Sequence, residues 1–164
     1  MMRITSSIIA ILVLVAIFFG GQVASDKLLA HKAGASADLE VFLNAYFLSW
    51  SNNDMQDYRD CFHKAAKVIH VAQGQVDTTV GLDQFIKQQT RYLASLNDPV
   101  SEHMISFTTS EDFQGTTVIA RWLYEDKDET YTGVNHFTLT RDARGAWKII
   151  TLVWYKDPQG VVKP

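Results

Sequence analysis

TTVIARWLYEDKDETYTGVNHFTLTRDARGAWKIITLVWY, residues 116–155, is the stretch on which the fold turns. It falls into three strand-length runs, 116–125, 131–141 and 146–155, the first two alternating between a more apolar and a more polar face, with polar turns at Asp126-Lys127-Asp128 and 142–145 between them. Period two is the signature of half-buried β-strands joined by tight connections. A fourth run, 101–110, precedes them across Phe113-Gln114-Gly115, so the last third of the chain reads as an antiparallel meander. Alternation also assigns faces. Val118, Ala120, Trp122 and Tyr124 share one side of their strand, as do Gly133, Asn135, Phe137 and Leu139 on the next, and His103, Ile105 and Phe107 on the first. These are the expected inward faces. The last strand is apolar on both sides, and the set Ile150, Leu152 and Trp154 is expected on the outer face, where it would pair two subunits.

Upstream of the meander the period changes to that of helices. Leu39, Phe42, Leu43, Tyr46, Phe47 and Trp50 recur at spacings of three and four behind a possible cap at Ser36, and Val41, Ala45 and Leu48 widen the apolar arc enough to predict cover on more than one side. Asp54 caps a short second helix carrying Met55, Tyr58, Cys61 and Phe62. Residues 68–72 and 75–80 flank Gln73-Gly74 as a hairpin. A third helix follows with Leu82, Phe85, Ile86, Tyr92, Leu93 and Leu96 on one stripe, and Asn97-Asp98-Pro99 stops it. Helices first and strands afterwards make an α+β domain whose sheet buries one face against the helices.

Length and charge narrow the function. A chain of 164 residues with 47% hydrophobic and 20% charged side chains has the composition of one globular domain, and its net charge of -3 offers no excess of positive charge for a phosphate backbone, so nucleic acid is not an expected partner. Residues 1–25 stand apart: Arg3 is the one charge before Asp26, and Ile8 to Phe19 is unbroken apolar sequence. That reads as a signal peptide cleaved before Asp26, or as an uncleaved membrane anchor over 8–24, and in either case as an exported domain, periplasmic or secreted. Residues 26–35 read as a linker, 36–157 as the domain and 158–164 as a tail. The single cysteine, Cys61, can make no internal disulfide and reads as a small core residue.

The order helix, helix, hairpin, long helix and four long strands resembles the nuclear transport factor 2-like (NTF2-like) superfamily, which includes the ketosteroid isomerases, the SnoaL-like polyketide cyclases and scytalone dehydratase. The residues that carry the resemblance are YFLSWSNND (46–54), FHKAAKVIHV (62–71), GLDQFI (81–86) and GVNHFTLTRDARGAWKI (133–149). It implies an NTF2-like cone, or cystatin-like roll, in which three N-terminal helices pack in a curved antiparallel sheet around a pocket. Trp50, Phe85, His103, Phe107, Trp122, Tyr124 and Phe137 are the side chains expected to line that pocket.

Two polar residues land among apolar neighbours: Asn135 on its strand's apolar face, and His70 between Ile69 and Val71. The resemblance places Tyr46 where ketosteroid isomerases keep a catalytic tyrosine, Asn135 where they keep a hydrogen-bonding acid and His70 where they keep the carboxylate base. One of the three matches in residue type. A neutral imidazole can take a proton while a phenol and an amide hold a developing oxyanion, so His70, Tyr46 and Asn135 are candidates for a cofactor-independent isomerase or hydro-lyase. The competing reading makes all three ordinary structural residues. The five histidines show no metal-ligand spacing, and no GxSxG element or phosphate loop occurs, so neither metal nor cofactor is expected. Three functions stay open: a pocket for a small apolar molecule, a proton-transfer isomerase or dehydratase, and a homodimerising interaction module.

Overall fold

The computed structural model describes residues 37–111 and 115–157. The proposed signal peptide, the linker and the tail lie outside those residues, and among the described ones no helix is long and apolar enough to cross a membrane. The chain divides into two compact units at Glu40/Val41, and every described strand belongs to the second.

Helix α1 occupies 37–51 and buries Leu43, Tyr46, Phe47 and Trp50, which recur at spacings of three and four along a single face. The wider arc expected to be covered is not: Val41 and Leu48 are 69% and 60% exposed. Asn53, with φ of 58°, ends the helix in the left-handed conformation that asparagine tolerates. Helix α2, Met55–Asp60, is capped by the Asp54 carboxylate, which accepts the Asp57 N–H at 3.0 Å. Phe62, expected inside α2, instead opens strand β1 (Phe62–Ala72). The physical reason is at Cys61, whose N–H closes the helix on Tyr58 while its carbonyl accepts the Ile149 N–H at 2.9 Å and so enters the sheet. Cys61 itself is half-buried, with its thiol pushed up to about 12 chiefly by burial.

Strand β2 (Gln75–Gly81) returns from the turn at Gln73 and Gly74, both at positive φ, and leads directly into helix α3 (Leu82–Ser95), which buries Leu82 and Phe85. Strands β3 (Ser101–Glu111), β4 (Thr116–Glu125), β5 (Thr130–Arg141) and β6 (Trp147–Lys156) form the meander, in the order β2-β1-β6-β5-β4-β3. The α+β reading therefore holds. The sheet is not purely antiparallel, because β1 pairs with β6 in parallel: the chain leaves β1, runs through α3 and the meander, and brings its last strand back beside its first.

Bulges reset the faces in two strands. In β3 the register slips between Met104 and Ser106, so Glu102 opposes Tyr124 and Met104 opposes Trp122, while Phe107 opposes Ala120. Tyr124, Trp122 and Ala120 share the buried face of β4, which puts Glu102 and Met104 inward. His103 and Ile105, expected inward, are exposed. In β6 the slip leaves Ile149 opposite Leu139, and Leu152 and Trp154 opposite Phe137 and Asn135. Leu152 and Trp154 thus lie on the inner face, not on the outer face where a dimer contact was expected, and the outward side of β6 presents Thr151, Val153 and Tyr155.

Candidate functional site

Between α1, α2, α3 and the inner face of the sheet lies a cavity of about 310 Å³. Tyr46 and Trp50 reach it from α1, Tyr58 from α2, Phe85, Gln88, Gln89 and Tyr92 from α3, and Glu102, Trp122, Tyr124, Tyr131, Asn135, Leu152, Trp154 and Lys156 from the strands. Nine of these fifteen carry aromatic rings, so a ligand here would meet flat apolar walls. Exposed Gln88 and Lys156 stand at its rim, whereas Tyr46, Tyr58, Trp122 and Asn135 are buried at its base.

The base is a closed polar network. Trp122 Nε1 donates to Asn135 Oδ1 at 2.9 Å, which orients the amide and turns its NH2 group toward Tyr46. The Tyr46 and Tyr58 hydroxyls lie 2.9 Å apart. Burial pushes both phenols well above their ordinary value; at Tyr46 the Glu102 charge adds to this, while hydrogen bonds from Tyr58 and Asn135 work against it. The two hydroxyls share one mutual hydrogen bond and carry two protons, so one proton of the Tyr46–Tyr58 pair is left for an acceptor in the cavity. Tyr46 also packs edge-on against Phe137 and Phe47, with centroids 5.2 and 5.0 Å away, so its ring cannot turn aside.

Nearer the rim a second chain runs from Tyr92 to Tyr124, hydroxyls 3.1 Å apart, and on to Asp126, whose Oδ2 accepts from Tyr124 at 2.8 Å. The backbone N–H groups of Glu129 and Asp128 also donate to Asp126, and together these bonds hold its carboxyl below the usual range. Trp50 Nε1 donates to Gln89 at 2.9 Å, tying α1 to α3 across the cavity.

The geometry has counterparts among solved structures. A protein of unknown function with a cystatin-like fold from Nostoc punctiforme superposes with a TM-score of 0.61 at 9% identity, over 76% of this chain and 92% of its own. An NTF-2 like protein of unknown function from Shewanella oneidensis gives 0.58 at 14%, over 74% and 98%. The chain has the NTF2-like fold. ActVI-ORFA from Streptomyces coelicolor shares it as well, with a TM-score of 0.61 at 14% identity over 76% of this chain and 98% of that one. At such identities the likeness carries the fold and not the chemistry. No protein-family model matches the chain, and no curated protein matches it in sequence.

Within this NTF2-like frame the residues singled out from sequence separate into two groups. Tyr46 and Asn135 come together at the cavity base, and Trp50, Phe85, Trp122 and Tyr124 are in its wall. Phe137 is buried beneath the wall against Tyr46, Phe107 is half-buried away from the cavity, and His103 is on the opposite face of β3. His70 is not in the lining: its ring stacks on Trp154 with centroids 4.1 Å apart, and its Nδ1 lies 3.0 Å from Asp77 Oδ2. It therefore supports the far side of a wall residue. Among the described residues no group of three acidic, histidine or cysteine side chains is arranged to hold a metal.

Sequence reasoning missed Tyr58 and Glu102. Tyr58 was legible as a helix residue but not as the partner of a hydroxyl twelve positions away. Glu102 was hidden by the β3 bulge. Its backbone is clamped by Ser51, whose Oγ accepts the Glu102 N–H at 2.8 Å and donates to the Glu102 carbonyl at 2.9 Å. Its carboxyl, pushed up to about 8 by burial, faces a cavity whose other walls are largely aromatic.

Proposed function

We propose that this domain binds a small, largely apolar molecule with at least one hydrogen-bonding oxygen. The observation that carries the reading is the cavity itself: about 310 Å³, walled by aromatic side chains, with one polar cluster at its base. The ring faces supply burial, and the spare hydroxyl proton of the Tyr46–Tyr58 pair supplies orientation. An isomerase or dehydratase built on His70 has less support, since that imidazole is engaged by Asp77 and Trp154 outside the lining. Export of the domain belongs to the same proposal and rests on the apolar run 8–19.

Calorimetric titration of the full chain with 2-naphthol tests this. One saturable site is expected, and Trp154→Ala is expected to weaken it roughly tenfold, the scale set by losing one aromatic wall. Tyr46→Phe should cost a further hydrogen bond, about 1 kcal/mol, without unfolding the protein. Absence of saturable binding, or equal affinity in wild type and Trp154→Ala, would overturn the reading.

A further inference from the structure

Glu102 sits inside the proposed binding cavity. Among the described residues no hydrogen bond or ion pair reaches its carboxyl; Ser51 engages its backbone alone. Each element around the cavity presents groups to it: Tyr46 from α1, Tyr58 from α2, Tyr92 from α3, Tyr124 from β4, Tyr131 from β5 and Lys156 from β6. None of the five phenols can carry a positive charge, so none balances a carboxylate. Lys156 is exposed, and its ammonium is committed to the face of Tyr131, 3.7 Å from the ring centre. That contact also shows the cavity's rings accepting a cation, as the negative face of an aromatic ring does.

We infer that the ligand carries a protonated amine on its apolar body, and that this amine pairs with the Glu102 carboxylate while the body lies against the aromatic walls. The inference rests on the pocket-binding reading above and adds the charge of the ligand. An unpaired carboxylate in such a place is costly, and a cation brought by the ligand removes the cost. Because the empty site holds the carboxyl largely protonated at pH 7, pairing requires it to ionise. Amine binding is then coupled to release of close to one proton at pH 7, and amine affinity rises with pH through about 8, where the free carboxyl ionises by itself.

The test compares tryptamine with 3-ethylindole, which has a similar shape and no charge, by calorimetry on the full chain in two buffers of different ionisation enthalpy. Tryptamine is expected to bind roughly tenfold or more tightly than 3-ethylindole, the scale of a charge-assisted hydrogen bond, and to release about one proton. Glu102→Gln should abolish both the preference and the proton release. The proton count in wild type stands without the variant, should the variant not fold. Equal binding of the two probes, no proton release, or a preference that survives Glu102→Gln overturns the inference and leaves pocket binding intact. Failure of both probes and of 2-naphthol overturns pocket binding itself, and this inference with it.

Discussion

Gly133→Ala is expected to destabilise the protein by roughly 2–3 kcal/mol, the upper part of the range for overpacking a well-filled core. Trp122 lies directly across the strand pair from Gly133, and its indole fills the space a side chain would need: a Cβ at 133 would come within 2.0 Å of the Trp122 six-membered ring. The ring cannot retreat cheaply. Trp122 is 3% exposed, and its Nε1 is bonded to Asn135, so any shift leaves a buried donor and a buried acceptor unpaired. The same shift moves the cavity wall, and ligand affinity should fall together with stability. Urea unfolding of wild type and variant measures the first effect, and 2-naphthol titration the second. A stability change below about 0.5 kcal/mol, the usual range for a harmless surface substitution, would show that Trp122 does not need the space.

That pair also shows where sequence reading succeeds. On β4 the alternation is unbroken, so Val118, Ala120, Trp122 and Tyr124 fall on the buried face as their pattern predicts. On β5, Asn135 is recognisable as a polar residue in an apolar row, and the row places it correctly. β3 fails for a definite reason. Its single bulge changes which residues face in, and a bulge is a property of the pairing with β4 that one strand's sequence does not contain. Counting apolar residues favoured His103, Ile105 and Phe107, and so turned Glu102 outward. β6 fails in the same way at Ile150, which sent Leu152 and Trp154 to the wrong face. The hydroxyl network has no sequence signal at all, since Tyr46 meets Tyr58, and Tyr92 meets Tyr124, only after helices and sheet have packed. The architecture follows from periodicity, whereas the polar chemistry of the site follows from register and packing.

Glu102 should make the stability of the empty protein fall as pH rises. Burial lifts its carboxyl from an ordinary 4.5 to about 8 in the folded state. Below the lower value both folded and unfolded chains hold the proton, and the group has no effect. Between the two values the unfolded chain releases its proton while the folded chain keeps it, so each pH unit lowers stability by about 1.4 kcal/mol, to a total of at most roughly 4–5 kcal/mol, and the loss levels off above pH 8. Asp126 and Asp142 act with the opposite sign, because their carboxyls are held low by backbone hydrogen bonds; the stability they contribute is present above the ordinary carboxylate value and lost as pH falls below it. All groups other than Glu102 are common to wild type and Glu102→Gln, so the difference between the two urea unfolding curves isolates this one carboxyl. That difference is expected to be small at pH 4.5 and to favour the glutamine variant by several kcal/mol at pH 8. Two curves that stay parallel across this range would mean that the carboxyl ionises in the empty cavity as readily as in water. Saturating tryptamine provides a second sign: once an ammonium pairs with the carboxylate the folded state no longer holds the proton, and the downward slope of the wild type should disappear. A residue that lowers the stability of the empty protein at neutral pH, and ceases to do so when a cation is bound, is better explained by recognition than by packing.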